Sequence, residues 1–155
     1  MAEIGTLMKT GMVTAHPKET VANVAVRMRD NEVGAVIVVH LGVLTGLFTE
    51  RDLLTRVVAA GLDPARTRVG EVATPDPITV ERDTHLRRCV EILNDRHIRH
   101  LPVLEGGSPV GILGARDLLG VVVEGLERLV DDQHYRNKLA EGVDPYDHIG
   151  GSYGE

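Results

Sequence analysis

The chain has 155 residues, 43% of them apolar, and its 17 lysines and arginines are set against 23 acids, for a formal net charge of −6. Cys89 is the single cysteine, which excludes an intrachain disulfide framework and a multi-cysteine zinc site. No apolar run approaches the roughly 20 residues of a membrane span, and the first residues lack the regions of a secretory signal. We therefore expect a cytoplasmic protein with no membrane partner.

Most of the negative charge lies at the C-terminal end, where residues 131–155 carry −4 of the −6 charges. The charged residues there are Asp131, Asp132, Glu141, Asp144, Asp147 and Glu155 against Arg136 and Lys138. Because the rest of the chain is close to neutral, it lacks the basic footprint with which proteins neutralise nucleic-acid phosphates. The charge pattern predicts no nucleic-acid partner.

The chain contains an internal repeat with a shift of 65 residues, which carries Asp52 onto Asp117 without a gap. Five of the nine pairs formed by residues 46–54 and 111–119 are identical. Chance similarity does not keep register over such a distance. A unit of about 60 residues is only marginally stable by itself, so the two copies are expected to share a core.

In copy one, a short strand is predicted at residues 13–14. An amphipathic helix follows, with an apolar face formed by Val21, Val24, Ala25 and Met28. Two β-rich runs, 35–39 and 43–48, flank Leu41-Gly42 and predict a hairpin. A second helix is predicted to begin at Glu50.

Copy two repeats this pattern, with a short strand at residues 78–79. Its first helix has an apolar face formed by Leu86, Cys89, Val90 and Leu93. The hairpin strands are predicted at 101–104 and 110–113, around Gly106-Gly107, and the second helix begins at Ala115.

These elements predict an α+β fold in which two pseudo-symmetric β-α-β-β-α repeats pack sheet to sheet, since neither small sheet can bury its own face. We place copy one at residues 1–66 and copy two at 67–130. Residues 131–155 are predicted to form a helical extension and then a flexible acidic tail. The alternative for that tail is a docking peptide that carries Tyr146 and Tyr153.

Four segments in fixed order, residues 33–39 and 98–104 with 46–53 and 111–118, resemble the cystathionine β-synthase (CBS) domain, present as a tandem pair or Bateman module. The last strand of copy one ends in the pattern Gly-x-x-Thr-x-x-Asp-Leu, and the resemblance covers about residues 4–125. It implies a regulatory fold that binds an adenosyl ligand (AMP, ADP, ATP or S-adenosylmethionine) in the clefts between the copies. It implies neither catalysis nor an obligatory cofactor.

Residues 49–52 have two interpretations. At the start of a helix, Thr49 and Arg51 suit a phosphate, and Asp52 suits the two hydroxyls of a ribose. Thr followed three residues later by an acid is also a capping box, which would satisfy the helix N–H groups instead. Asp117 persists in copy two although Gly114 replaces the threonine, so the reciprocal box is expected to be broken there. That departure favours the ligand interpretation.

The resemblance also implies which residues share a cleft. Cleft one would combine Thr49, Arg51 and Asp52 with Ile78 and Thr79. Cleft two would combine Arg99, His100, Arg116 and Asp117 with Val13 and Thr14. For Arg99 and His100, the alternative is a structural place at the edge of the sheet.

No nucleophile elbow, P-loop or dinucleotide fingerprint is present, and the histidines lack the paired spacing of a zinc site on a helix, so neither an enzyme nor a metal protein is expected. The leading hypothesis is an adenine-nucleotide sensor, a homodimer by family resemblance, that signals to a protein partner. The alternatives are a ligand-independent structural or interaction module with vestigial clefts, and the detached regulatory half of an enzyme or transporter.

Overall fold

The structure, a computed structural model, describes residues 11–141. Both copies follow the predicted order of elements. In copy one these are β1 (Thr14–Ala15), α1 (Val21–Asp30), β2 (Ala35–His40), β3 (Val43–Thr49) and α2 (Glu50–Asp52), which continues as a π-helical segment, Leu53–Val58. The chain then forms α3 (Val69–Val72), β4 (Thr74–Pro75), β5 (Val80–Glu81), α4 (Leu86–Asp95), β6 (His100–Glu105), β7 (Ser108–Gly114) and α5 (Ala115–Ala140).

Each of the two sheets contains one hairpin, as the sequence predicts. The first sheet has the order β1-β2-β3-β4 and the second β5-β6-β7. The turns place two consecutive residues at positive φ, Leu41 and Gly42 in copy one and Gly106 and Gly107 in copy two. Such a turn matches the twist of an antiparallel pair, which fixes the register that ends each hairpin at its motif.

The two opening strands lie slightly later than predicted. They comprise Thr14–Ala15 and Val80–Glu81 rather than residues 13–14 and 78–79, and each pairs in parallel with the middle strand of its own copy. The register is set by burial, because Ala15 and Val80 are the residues that enter the cores.

The buried positions of the two copies are related by the same 65-residue shift as the sequence repeat. In copy one, Val24 and Met28 of α1 pack with Val36, Val38 and Phe48 of the sheet. Their counterparts in copy two are also buried: Cys89, Leu93, Leu101, Val103 and Leu113. Ala35, Ile37 and Leu47 of the first sheet form a cluster with Ile112 of the second, which confirms the predicted packing of sheet against sheet.

The segment between the copies, residues 67–79, packs largely on copy one and is called the linker below. Val69, Val72 and Ala73 belong to the core of copy one. β4 then pairs antiparallel with β3, with Leu47 opposite Thr74 and Gly46 opposite Pro75. Residues beyond position 66 therefore complete the first copy, and the division of the chain at that position stays a prediction.

The second helices of the two copies differ. The helix of copy one is α-helical only at Glu50–Asp52 before its π-helical segment, whereas α5 is an α-helix of 26 residues that extends beyond the repeat. The chain divides into two compact units after Asp117. None of the helices in residues 11–141 is long and apolar enough to span a bilayer. The predicted flexible tail with Tyr146 and Tyr153 lies outside the described residues.

Candidate functional site

The motif of copy one forms a complete capping box at the junction of β3 and α2. Thr49, in extended conformation, ends the strand. The Asp52 amide donates to Thr49 Oγ1 at 3.2 Å, while the Thr49 amide and hydroxyl both donate to Asp52 Oδ2 at 3.0 Å. The capping interpretation is thus confirmed for this copy, and Asp52 Oδ2 has both lone pairs engaged.

The other carboxylate oxygen of Asp52 faces an arginine that the sequence argument did not identify. Arg56 Nε lies 3.4 Å from Asp52 Oδ1, one helical turn further along. The side chain of Asp52 is 9% exposed and that of Arg56 is 46% exposed. The spacing of four residues between opposite charges was the available signal. Asp52 is therefore buried and paired, with one oxygen still able to accept a hydrogen bond.

Thr49 is half-buried, and Arg51 and Glu50 are exposed. Because the Thr49 hydroxyl already donates to Asp52, it can donate to a phosphate only if it gives up that bond. The exposed guanidinium of Arg51 can turn towards an anion without any such exchange. Arg51 is thus better prepared than Thr49 for the predicted phosphate role.

The motif of copy two keeps half of the capping box. The Gly114 amide donates to Asp117 Oδ2 at 2.9 Å, as the Thr49 amide does to Asp52. A β-carbon on Gly114 would lie 3.0 Å from this oxygen, so Asp117 occupies space next to the missing side chain. Asp117 therefore caps without the threonine, and its persistence does not by itself favour a ligand over a cap.

His100 lies at the seam between the two copies. A β-carbon on Gly34 would be 3.4 Å from His100 Nε2 and 3.3 Å from Glu50 Oε2, and one on Gly114 would be 3.9 Å from His100 Cδ2. The ring thus reaches from the motif of copy two to the start of α2 in copy one. Burial lowers the pKa of His100, the Glu50 carboxylate opposes this, Arg99 reinforces it, and Asp117 opposes it.

Gly34 and Glu50 were missed at the sequence level, although the repeat contained a signal. The shift carries Gly34 and Ala35 onto Arg99 and His100. Two small residues in copy one thus correspond to two large ones in copy two. This is expected where the large side chains of copy two occupy space beside the small residues of copy one. The Glu50 amide donates to the Gly34 carbonyl at 3.0 Å, and the Ala115 amide donates to the Arg99 carbonyl at 2.9 Å. The backbone of both motifs is therefore held in the same way.

The predicted residues from the opening strands are placed differently in the two clefts. Ile78 is 38% exposed and Thr79 is half-buried, and the linker reaches them from β4, which pairs beside the motif-bearing strand β3. Val13 packs against the core of copy one, and its carbonyl accepts from the Ile37 amide at 3.1 Å. The exposed Thr14 offers its carbonyl to Arg27 at 2.7 Å. Strand pairing joins β4 to β3 at Gly46 and Leu47 and includes neither Ile78 nor Thr79, so the assignment of both pairs to clefts stays a prediction.

An open surface depression lies elsewhere, along α4, and all of its lining comes from residues 85–95. It contains none of the predicted site residues.

The structure also brings two histidines together, with His16 Nε2 and His40 Nδ1 3.1 Å apart. Two nitrogens fall short of the three or four protein ligands of zinc sites, and residues 11–141 contain no group of three potential metal ligands.

Comparison with known proteins identifies relatives of this fold. The chain is 32% identical over 120 residues to an uncharacterized protein of Methanopyrus kandleri, covering 76% of this chain and 61% of that protein. It is 32% identical over 118 residues to the CBS domain-containing protein YhcV of Bacillus subtilis, covering 76% and 84%. A solved CBS domain protein from Pyrobaculum aerophilum, complexed with AMP, is 29% identical with a TM-score of 0.70, covering 76% of this chain and 90% of that one.

The repeat itself matches a family model. The model described as "CBS domain" matches twice, at residues 3–59 and 69–124, so each match contains one copy of the motif. Each range contains one hairpin and one of the two capped acids seen in the structure, while β4, in the second range, pairs with the first sheet. The chain therefore belongs to the CBS domain family, with two domains in tandem.

Proposed function

We propose that this tandem CBS pair is a regulatory module that binds an adenine nucleotide or S-adenosylmethionine between its two copies, without catalysis. The observation that carries the proposal is the match of both copies to the CBS domain, together with a relative from Pyrobaculum aerophilum, 29% identical, that was solved with AMP. Asp52 and Asp117, at the same motif position of the two copies, are the candidate ribose acceptors. The names of the relatives above indicate no enzymatic activity.

In cleft one, Asp52 Oδ1 is the oxygen suited to accept from the ribose. Its partner oxygen is saturated by Thr49, whereas Oδ1 faces only Arg56, at 3.4 Å. Arg51 would neutralise the phosphate, and the Thr49 hydroxyl would join it by rotating away from Asp52. Ile78 and Thr79 would form the wall contributed by the linker. Nucleotide binding would thus exchange part of the cap for ligand contacts.

Cleft two would have a different balance of contacts. Without a hydroxyl at Gly114, its phosphate would depend on Arg99 and Arg116, both exposed. His100, at the seam, would border the ligand, and Asp117 would again take the ribose. Val13 and Thr14 would contribute mainly their backbone, because the Val13 side chain is packed in the core of copy one. We therefore expect different affinities at the two clefts.

A ligand that contacts both copies can act as a switch only if it binds one relative arrangement of them more tightly than another. We propose that the resulting change in the arrangement of the copies is the signal to a protein partner.

We also propose a homodimer, because the second helices expose apolar residues at equivalent positions. These are Leu54 and Val58 in copy one and Leu119 and Val123 in copy two. Cytoplasmic localisation remains part of the proposal.

One observation favours the second candidate function, a structural module whose clefts do not bind ligands. Both motif acids accept backbone N–H groups of their own motif, from Thr49 and from Gly114. An acid near a helix start is stabilising without any ligand. On this account Asp52 and Asp117 would serve their caps alone.

Thermal unfolding in the presence of AMP, ADP, ATP, NADH and S-adenosylmethionine tests the proposal. A true ligand stabilises the folded state by about 2.7 kcal/mol at 100 times its Kd, so the melting temperature will rise continuously with its concentration. The matched control is 2′-deoxy-AMP, which lacks one of the hydroxyls assigned to the motif acids. It should bind roughly tenfold more weakly than AMP. Flat melting temperatures at millimolar concentrations of every ligand would leave the structural module.

A further inference from the structure

Arg56 connects the motif of copy one to the linker. Its Nε lies 3.4 Å from Asp52 Oδ1, while its Nη1 donates to the carbonyl oxygens of Val72 at 3.4 Å and Ala73 at 3.3 Å. One guanidinium thus contacts a buried carboxylate and two main-chain acceptors. The planar fork of arginine donors makes such multiple contacts possible, whereas a lysine ammonium acts as a point charge.

The two carbonyls belong to the end of α3. Val72 is the last residue of α3 and Ala73 is its C-cap. Carbonyls at a helix C-terminus lack partners within the helix, and a cationic side chain there is favourable. Both residues are buried, at 6% and 7% exposure, so Arg56 satisfies acceptors that water reaches poorly. It therefore fixes the point at which the chain leaves α3.

Along the chain, that point comes before the residues assigned to the wall of cleft one. β4 begins at Thr74, pairs with β3 through Pro75, and the chain reaches Ile78 three residues later. The same arginine thus touches the acid assigned to the ribose and anchors the segment assigned to the opposite wall. The repeat offers no equivalent in copy two, because the shift carries Arg56 onto Val121.

We propose that Arg56 is a positioning residue that couples occupancy of Asp52 to the conformation of the linker, in cleft one alone. The proposal rests on the proposed function. A ribose hydroxyl that donates to Asp52 Oδ1 shares that oxygen with Arg56 and weakens the contact between them, which is already long at 3.4 Å. The guanidinium then shifts relative to the Val72 and Ala73 carbonyls, and the linker is released or tightened at its start. Binding at cleft one is thereby transmitted to the chain that leads into copy two.

Hydrogen exchange of the intact protein, with and without AMP, tests this coupling. The variants are Arg56→Gln, which removes the charge and most of the fork, and Arg56→Lys, which keeps the charge but cannot reach Asp52 and both carbonyls together. Arg87→Gln, at an exposed arginine of α4, is the matched control. Without nucleotide, Arg56→Gln should raise exchange at the amides of Ala73 and Thr74 by roughly three- to tenfold, the loss expected for one or two hydrogen bonds. Arg87→Gln should leave these amides unchanged.

In the wild type, AMP should change the rate of amide hydrogen exchange at residues 73–79. In Arg56→Gln this change should be absent, although the variant should still bind AMP with an affinity reduced by less than about tenfold. Arg56→Lys should recover the affinity but not the response of the linker. A linker response in Arg56→Gln equal to that of the wild type would overturn the coupling alone. If AMP raises the melting temperature of the wild type but leaves its amides at residues 73–79 unchanged, the coupling alone is overturned. If no ligand of the panel raises the melting temperature, the proposed function fails and the coupling fails with it.

Discussion

In copy one, one carboxylate oxygen of Asp52 accepts a hydrogen bond from Thr49 and the other faces Arg56. Only 9% of the Asp52 side chain is exposed. In copy two, the counterpart Asp117 is half-buried and accepts from the Gly114 amide, with neither a hydroxyl nor an arginine at the equivalent positions, which are Gly114 and Val121. The same acid at the same step of the same fold thus has two different environments. The cap requires only the acid, and the hydroxyl and the arginine are additions of copy one.

The seam between the copies shows the opposite distribution. There, copy one contributes the small residues Gly34 and Ala35, and copy two contributes Arg99 and His100. His100 is half-buried and lies close to Glu50 of the other copy. Copy two therefore provides the imidazole at the seam, while copy one provides the motif that contains a threonine hydroxyl. Four experiments test this comparison.

The largest expected effect comes from the cores. Phe48 and Leu113 occupy equivalent positions, and both are fully buried. Phe48→Ala should cost about 3–5 kcal/mol and Leu113→Ala about 2–5 kcal/mol. We expect the larger loss for Phe48, because Val69 and Val72 of the linker close the core around it. Urea unfolding measures both, and a larger loss for Leu113→Ala would contradict the view that the linker completes copy one.

A smaller effect is expected at the capping box. Thr49→Ala removes the acceptor of the Asp52 amide and one donor to Asp52 Oδ2. It should reduce the free energy of unfolding by about 1 kcal/mol. Thr14→Ala, at an exposed threonine of the same fold, is the control and should change it by less than about 0.5 kcal/mol. Equal effects of the two substitutions in thermal or urea unfolding would argue against the box.

The pH dependence of stability tests whether His100 is buried at the seam. Burial holds the pKa of His100 below its ordinary 6.5 in the folded protein. As the pH falls through 6.5, the unfolded chain takes up the proton first, so this residue costs stability on the acid side. The free energy of unfolding of His100→Gln should therefore fall less than that of the wild type between pH 7.5 and pH 5. Identical falls in the two proteins would place His100 in solvent rather than at the seam.

Much of the fold followed from local patterns. The helical and strand segments differ in the spacing of their apolar residues, so each segment could be assigned to one type of element. The Leu41-Gly42 and Gly106-Gly107 turns then predict both hairpins, and the gapless repeat predicts the packing of the sheets. β4 was not predicted, because a two-residue strand ending in proline has no periodicity and exists only through its pairing with β3. The π-helical turn after Asp52 likewise leaves no mark in an apolar pattern.

The candidate site was predictable only in part. The residues of the motif are contiguous, so the Thr49–Asp52 box and the counterpart Asp117 could be read from the spacing. The contacts of Arg56 with Val72 and Ala73, and the approach of His100 to Gly34 and Glu50, join residues far apart in the chain. They depend on how the linker returns to copy one and how the sheets face each other, which no local spacing determines.

The fourth experiment tests the central claim, that the motif acids of the two copies bind the ribose of an adenine nucleotide. It is calorimetric titration of AMP into the wild type, Asp52→Asn and Asp117→Asn. Asparagine keeps a carbonyl oxygen for the capping amide but removes the charge. Each substitution should weaken AMP at its own cleft by roughly one to two decades, and the double variant should bind at neither. AMP binding with the same affinity and stoichiometry in all four proteins would contradict the account.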